Sequence, residues 1–167
     1  MLKIFKYKEM KQENIEFDIY TPINIEFGIW NISKEPTIHW RTGDFSSSLI
    51  EIGIGQYKKD IRSVTLSICK NVYEVDHYFQ NNINIVKGSP IVDLENMNNE
   101  IYIDEKGVLK VYIESKSVSI VFSENEICDC LQNNNIEFYL DANQSLIGLR
   151  INKVSEENKL ILKEALA

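Results

Sequence analysis

The chain has 167 residues with a formal net charge of −7, 44% hydrophobic and 26% charged, which suits one globular domain with a substantial core. No stretch approaches the roughly 18 apolar residues that a membrane-spanning helix needs. Residues 1–90 balance 11 Lys/Arg against 11 Asp/Glu, whereas residues 91–167 hold 7 against 14, an acidic excess that argues against nucleic acid or anionic membrane as partner.

The opening MLKIFKYKEMKQENIEF interleaves Lys and Glu with apolar residues. It offers no apolar h-region and no small-residue cleavage site, so a cytoplasmic protein without a signal peptide is expected. Period-2 alternation then dominates, the mark of half-buried strands. Ile15 to Tyr20 alternates until Thr21-Pro22, and Ile23, Ile25, Phe27 and Ile29 alternate against Asn24, Glu26, Gly28 and Trp30. Thr37 to Trp40 is a shorter strand, and Leu49 to Ile54 leads through a polar loop at Gly55 to Asp60 into a partner strand from Ile61 to about Val75. Residues 76–90 form a connection with a short strand at Ile83 to Val86.

The second half reads as a meander. Strands at Glu100 to Asp104, Val108 to Glu114 and Val118 to Phe122 are joined by turns at Glu105-Lys106-Gly107 and Ser115-Lys116-Ser117. Ser123 with Glu126 three residues on resembles a capping box opening a short helix that ends in Asn133 to Asn135. A hairpin of Ile136 to Asp141 and Leu146 to Asn152 follows. The end is a helix, with Ser155 as N-cap, Glu156 and Glu157 in the first turn and Lys159 and Lys163 later, an order that complements the helix dipole. The expected fold is α+β, a mostly antiparallel β-sheet with a C-terminal helix packed on it, in a single domain over residues 1–167. The Asn pairs at 81–82 and 98–99 and the run 133–135 read as loop filler.

Chemistry-bearing residues are sparse. The odd set Cys69, Cys128 and Cys130 has no disulfide or zinc spacing and reads as reduced thiols. The two histidines, His39 and His77, sit in no catalytic motif, and Gly53-Ile54-Gly55 has no helix after it to receive a phosphate. The expectation is a protein without catalytic apparatus, metal or cofactor. His39-Trp40-Arg41 is the one compact group able to build a small binding or enzyme site.

The more specific signal is a shared strand face. Alternation places Tyr102 and Asp104 on one strand, Tyr112 and Glu114 on another, and Glu137, Tyr139 and Asp141 on a third, each set opposite an apolar face. Tyr supplies large contact area at little entropy cost, and carboxylates steer a basic partner, so these seven residues are the candidate partner-binding face. The competing reading has the terminal helix covering the face, with the tyrosines as amphipathic core.

The run SLIEIGIGQYKKDIRSVTLSICKNVYE and the ending IEFYLDANQSLIGLRINKVSEENKLILKEAL resemble hairpins of small bacterial proteins encoded beside polymorphic or contact-dependent growth-inhibition toxins. The resemblance implies an immunity protein: a cytoplasmic antitoxin that binds one cognate toxin domain, a basic nuclease by the charge reading, and occludes its active site. It carries over no individual residue. A structural or ligand-binding module of a bacterial or phage assembly, and a small enzyme with a site near His39, are the alternatives. The oligomeric state is left open.

Overall fold

A computed structural model of the protein describes residues 1–29, 35–78, 82–95, 97 and 100–167; Trp30, Asn81 and the pair Asn98-Asn99 lie outside them. The strands in chain order are β1 (Lys3–Lys8), β2 (Glu13–Glu16), β3 (Ile23–Phe27), β4 (Thr37–Gly43), β5 (Ser48–Gly55), β6 (Ile61–Cys69), β7 (Val72–Glu74) and β8 (Asn84–Lys87). They continue as β9 (Ser89–Asp93), β10 (Tyr102–Lys106), β11 (Lys110–Ile113), β12 (Ser117–Val121), β13 (Asp129–Asn133), β14 (Ile136–Leu140) and β15 (Leu146–Asn152), and the helix α1 spans Glu156–Ala165. The protein is mostly β, with one short helix at its C-terminal end.

A six-stranded sheet in the order β10-β4-β5-β6-β3-β2 and a seven-stranded sheet in the order β7-β11-β12-β15-β14-β13-β8 share one core. Strand β3 alternates buried and half-buried residues, sending Ile23, Ile25 and Phe27 inward, and Ile50, Ile52, Ile54, Val64 and Leu66 do the same on β5 and β6. Val111, Ile113, Val118, Ile120, Phe138, Leu149 and Ile151 come from the other sheet. Ring pairs bridge the two layers: Phe27 lies 5.8 Å from Phe138 and Trp40 lies 5.9 Å from Phe122.

The ribbon of β1 and β9 closes one side of this sandwich. Leu146 donates its N–H to the Leu2 carbonyl at 2.8 Å and Ile4 donates to the Gln144 carbonyl at 2.9 Å, while Val92 donates to the Lys59 carbonyl at 2.8 Å. Between β8 and β9 only glycine fits, because a Cβ at Gly88 would come within 2.6 Å of the Tyr7 ring and 2.9 Å of the Lys8 carbonyl.

Of the meander expected over 100–122 the second hairpin forms, β11 pairing antiparallel with β12, but its first strand does not join it. Strand β10 includes Glu105 and Lys106, joins the six-stranded sheet and pairs in parallel with β4, Tyr102 opposite His39 and Asp104 opposite Arg41. The change of sheet falls at 107–109, where Gly107 donates to the Gly43 carbonyl at 3.1 Å and Leu109 dives into the core. The segment from Ile61 to Val75 is likewise divided: β6 stops at Cys69 and β7 crosses to pair with β11. No helix follows Ser123. Its hydroxyl accepts only from the Asn125 N–H, and residues 129–133 form β13 between β14 and β8, so long-range pairing overrides the local cap signal.

Asn133 is no filler: it is fully buried, accepts from the Lys11 N–H at 2.7 Å and donates to the Lys11 carbonyl and the Glu13 carboxylate at 2.9 and 2.8 Å. It thereby fastens the start of β2 to the β13–β14 turn. Burial raises the Glu13 carboxyl against the lowering pull of Asn135 and Asn133.

The same turn occurs once in each sheet. Asp44 accepts the N–H groups of Ser46 and Ser48 at 3.0 and 2.8 Å, and Asp141 accepts those of Asn143 and Ser145 at 2.9 Å each. Both are followed by Ser-Leu-Ile, at Ser48-Leu49-Ile50 and Ser145-Leu146-Ile147. The hydroxyl and N–H of Ser47 hold the Asp44 carboxyl far below its ordinary range. Burial pushes Asp141 up, but the Ser145 N–H, the Asn125 amide and the Asn143 N–H outweigh it and leave the group low. A depressed carboxyl adds stability above its unfolded value of about 4, and the gain is lost as pH falls through the folded value. Urea unfolding at pH 3 against pH 6 should therefore show a loss that Asp141→Asn partly flattens; an unchanged pH slope in that variant would contradict this.

The helix starts where expected, the Ser155 hydroxyl accepting from the Asn158 N–H at 3.1 Å. Leu162 enters the main core, and the buried Lys159 donates to the carbonyls of Ser115 and Glu114 at 2.7 and 3.4 Å. Among the described residues no helix is long and apolar enough to cross a membrane.

Candidate functional site

The seven tyrosines and carboxylates of the expected face separate into two places. Tyr112, Glu114, Glu137, Tyr139 and Asp141 belong to the seven-stranded sheet or its turn, whereas Tyr102 and Asp104 lie on the other sheet.

On the seven-stranded sheet the outer face is covered, not open. Val121, Cys130, Tyr139 and Ile147 form a second buried cluster there, with Tyr78, Ile83, Tyr112 and Ile127 packed over it. The cover is the connection around Tyr78 and the segment around Ile127, while α1 contributes Leu162 to the main core instead. Tyr112 is stacked on Tyr78 at 3.8 Å and on Tyr73 at 5.3 Å.

Glu114 is 2% exposed and accepts from the Ser119 hydroxyl at 2.6 Å, the Arg150 guanidinium at 2.9 Å and the Tyr78 N–H at 3.1 Å. Glu137 accepts from the Tyr139 hydroxyl and, at 3.0 Å, from Asn152. Burial first, then that carboxylate, raises the Tyr139 phenol far above its usual range. Cys130 beside it is pushed up to about 12 by burial and Glu137, so it is a packed thiol. Cys128 is exposed and precedes β13, so the two thiols of C-D-C sit in different surroundings. These groups hold the sheet together and leave little carboxylate for a partner to meet.

The open cluster is on the six-stranded sheet, and it unites two expectations that the sequence kept apart. Parallel pairing of β10 with β4 lays the Tyr102 ring against His39, centroids 5.1 Å apart and 23° from parallel, and places the Arg41 guanidinium 4.7 Å from the same ring. Arg41 also makes a two-pronged contact to Asp104 at 2.7 and 2.9 Å, which raises its already high pKa, and His39 Nδ1 lies 2.7 Å from Glu51. Trp40, the middle residue of His39-Trp40-Arg41, points the other way and is 1% exposed in the core. Alternation therefore splits that tripeptide, giving its cation and imidazole to the surface.

Tyr102 is 52% exposed, on the outermost strand of the sheet. Stacking and the guanidinium fix the ring in place before anything binds, which lowers the entropy cost of using it as an anchor. Further across the same face, Glu26 pairs opposite Asn14 and Glu16 opposite Asn24, half-buried or exposed. The face runs from an aromatic, charge-paired end at β10 to an acidic, amide-rich end at β2. Among the described residues no group of three or more His, Cys, Asp or Glu is placed to hold a metal ion.

No protein-family model and no curated protein matches the chain.

Proposed function

We infer that this protein is an immunity protein, a cytoplasmic antitoxin whose open six-stranded face binds a cognate bacterial toxin domain. The observation that carries the reading is Tyr102, half-exposed yet held between His39 and Arg41 on a solvent-facing strand. A rigid amphipathic ring in a flat polar field is the usual anchor of a protein interface. The partner's chemistry follows from the remaining charges. Asp104 is engaged by Arg41, whereas Glu16 and Glu26 at the far end of the face make no ion pair among the described residues. A basic surface, such as the phosphate-attracting cleft of a nuclease, complements them and gains association rate from the attraction.

A small enzyme centred on the 2.7 Å His39–Glu51 pair is the second reading. It is disfavoured by shape: the pair lies on an open strand face, where a substrate is not enclosed.

The test is co-expression with the product of the neighbouring gene, followed by growth rescue and pull-down. Tyr102→Ala should keep the wild-type melting temperature and weaken the complex by about 2–4 kcal/mol, mainly through faster dissociation. A harmless neighbour that forms no complex would remove the immunity reading. A complex with unaltered Tyr102→Ala kinetics would move the interface off this face.

A further inference from the structure

A second surface, on the opposite side of the molecule's charge pattern, is carried by β1 and β8. Residues 3–8 read Lys-Ile-Phe-Lys-Tyr-Lys, and all but Ile4 are exposed. Phe5 and Tyr7 are each 53% exposed, and Ile85 on β8 is 52% exposed. A register shift between Ile4 and Lys6 bulges the strand at Phe5, which keeps Lys6 from following Ile4 into the core. Beneath it lies a groove of about 300 Å³, floored by Ile4, Val86, Leu131 and Leu140 and lipped by Phe5 and Tyr7.

The charges around this groove are the reverse of the chain's net −7. Lys6, Lys8 and Lys87 make no ion pair among the described residues, though the Lys6 ammonium lies 4.9 Å over the Phe5 ring, and Lys3 donates to the Asn143 carbonyl at 3.0 Å. The one carboxylate lining the groove, Asp129, already accepts from Gln144 at 2.9 Å. Strand β8 is the last of its sheet, so its outer edge offers backbone groups to an added extended chain.

We propose that this groove docks an extended acidic segment of a partner protein, with one aliphatic side chain seated between Phe5 and Tyr7. The row of unpaired lysines fits several successive carboxylates, and the apolar floor fits the anchor. Single-stranded nucleic acid would answer the lysines and aromatics, but it has no aliphatic side chain for the floor.

The probe is a short fluorescein-labelled peptide alternating Glu or Asp with Leu or Ile, measured by fluorescence polarisation on the full chain. The controls are the same peptide with Gln and Asn for the acids, one with Ser for the aliphatics, and a labelled oligo-dT. Binding of the first peptide alone is expected, weakening as salt rises. The double variant Lys6→Glu/Lys8→Glu should lose at least about tenfold in affinity and keep its fold, both side chains being exposed. Tyr102→Ala should leave the affinity unchanged, which separates this site from the other face. Failure of the acidic-aliphatic peptide to bind, tighter binding of oligo-dT, an unaffected lysine variant, or loss on Tyr102→Ala would each overturn the proposal.

Discussion

Replacing Arg62 by Ala should cost about 3–5 kcal/mol of folding stability, the usual penalty for removing one partner from a buried charge network. The guanidinium is 2% exposed and reaches the Glu35 carboxylate, the Glu35 carbonyl at 3.3 Å and the Thr37 hydroxyl at 3.4 Å, with Asp60 at 3.7 Å. Glu35 in turn accepts the N–H groups of Tyr57 and Lys58 at 3.1 Å each, so one buried cation organises the whole β5–β6 turn. Gly55 belongs to the same design, since a Cβ there would lie 2.5 Å from Glu35, 2.6 Å from Asp60 and 2.8 Å from Arg62. Without Arg62 the carboxylate of Glu35, 9% exposed, stays behind with its negative charge uncompensated. The expected drop in melting temperature is about 6–20 °C for a chain of this size. The double variant Arg62→Ala/Glu35→Ala should lose less than the sum of the single ones, because it removes the stranded charge. A single-variant loss below about 1 kcal/mol would mean that water reaches these groups.

Phe138→Ala should be comparably severe, about 3–5 kcal/mol, for an unrelated reason. Phe138 is fully buried at the centre of the seven-stranded sheet and meets Phe27 of the facing sheet. Truncation opens a void between two layers whose backbones are fixed by hydrogen bonds, so little collapse can refill it. The urea midpoint should fall with an unchanged slope, since the surface exposed on unfolding hardly alters. Phe138→Leu should recover most of the loss; a Leu variant as damaged as Ala would point to ring geometry rather than volume.

What the sequence revealed was local, and what it concealed was long-range. Ile23 to Phe27 and Ser48 to Gly55 alternate because one face is core and the other water, and that pattern is readable without coordinates. Strand β12 is buried at every position because its outer face is covered in turn, and even the polar Ser119 is fully buried beside Glu114. The cover over Tyr139 and Tyr112, and internal hydrogen bonds to Glu114, Glu137 and Asp141, engage five of the seven candidate residues. The pairing that assembled the open cluster joins β10 to β4 across some sixty residues of sequence, and nothing in either segment announces the other. Two signals were there to be used. Aligning Asp44 to Ile54 with Asp141 to Ile151 exposes the repeated turn, and the aromatic-Lys alternation of residues 5–8 has the period of a strand.

The ribbon that closes the sandwich also sets the order of events during synthesis. Strand β1 is made well before its partners: β9 follows some eighty residues later, and Leu2 and Ile4 find their remaining hydrogen bonds only in residues 144–146. At ordinary translation rates the wait for β9 is roughly 4–17 s, far longer than local collapse takes. Until β9 emerges, the Lys-Ile-Phe-Lys-Tyr-Lys segment is an unpaired edge, guarded against sticking to other nascent chains mainly by its three lysines. The charges on β1 thus serve as gatekeepers of biogenesis before the molecule has a surface at all.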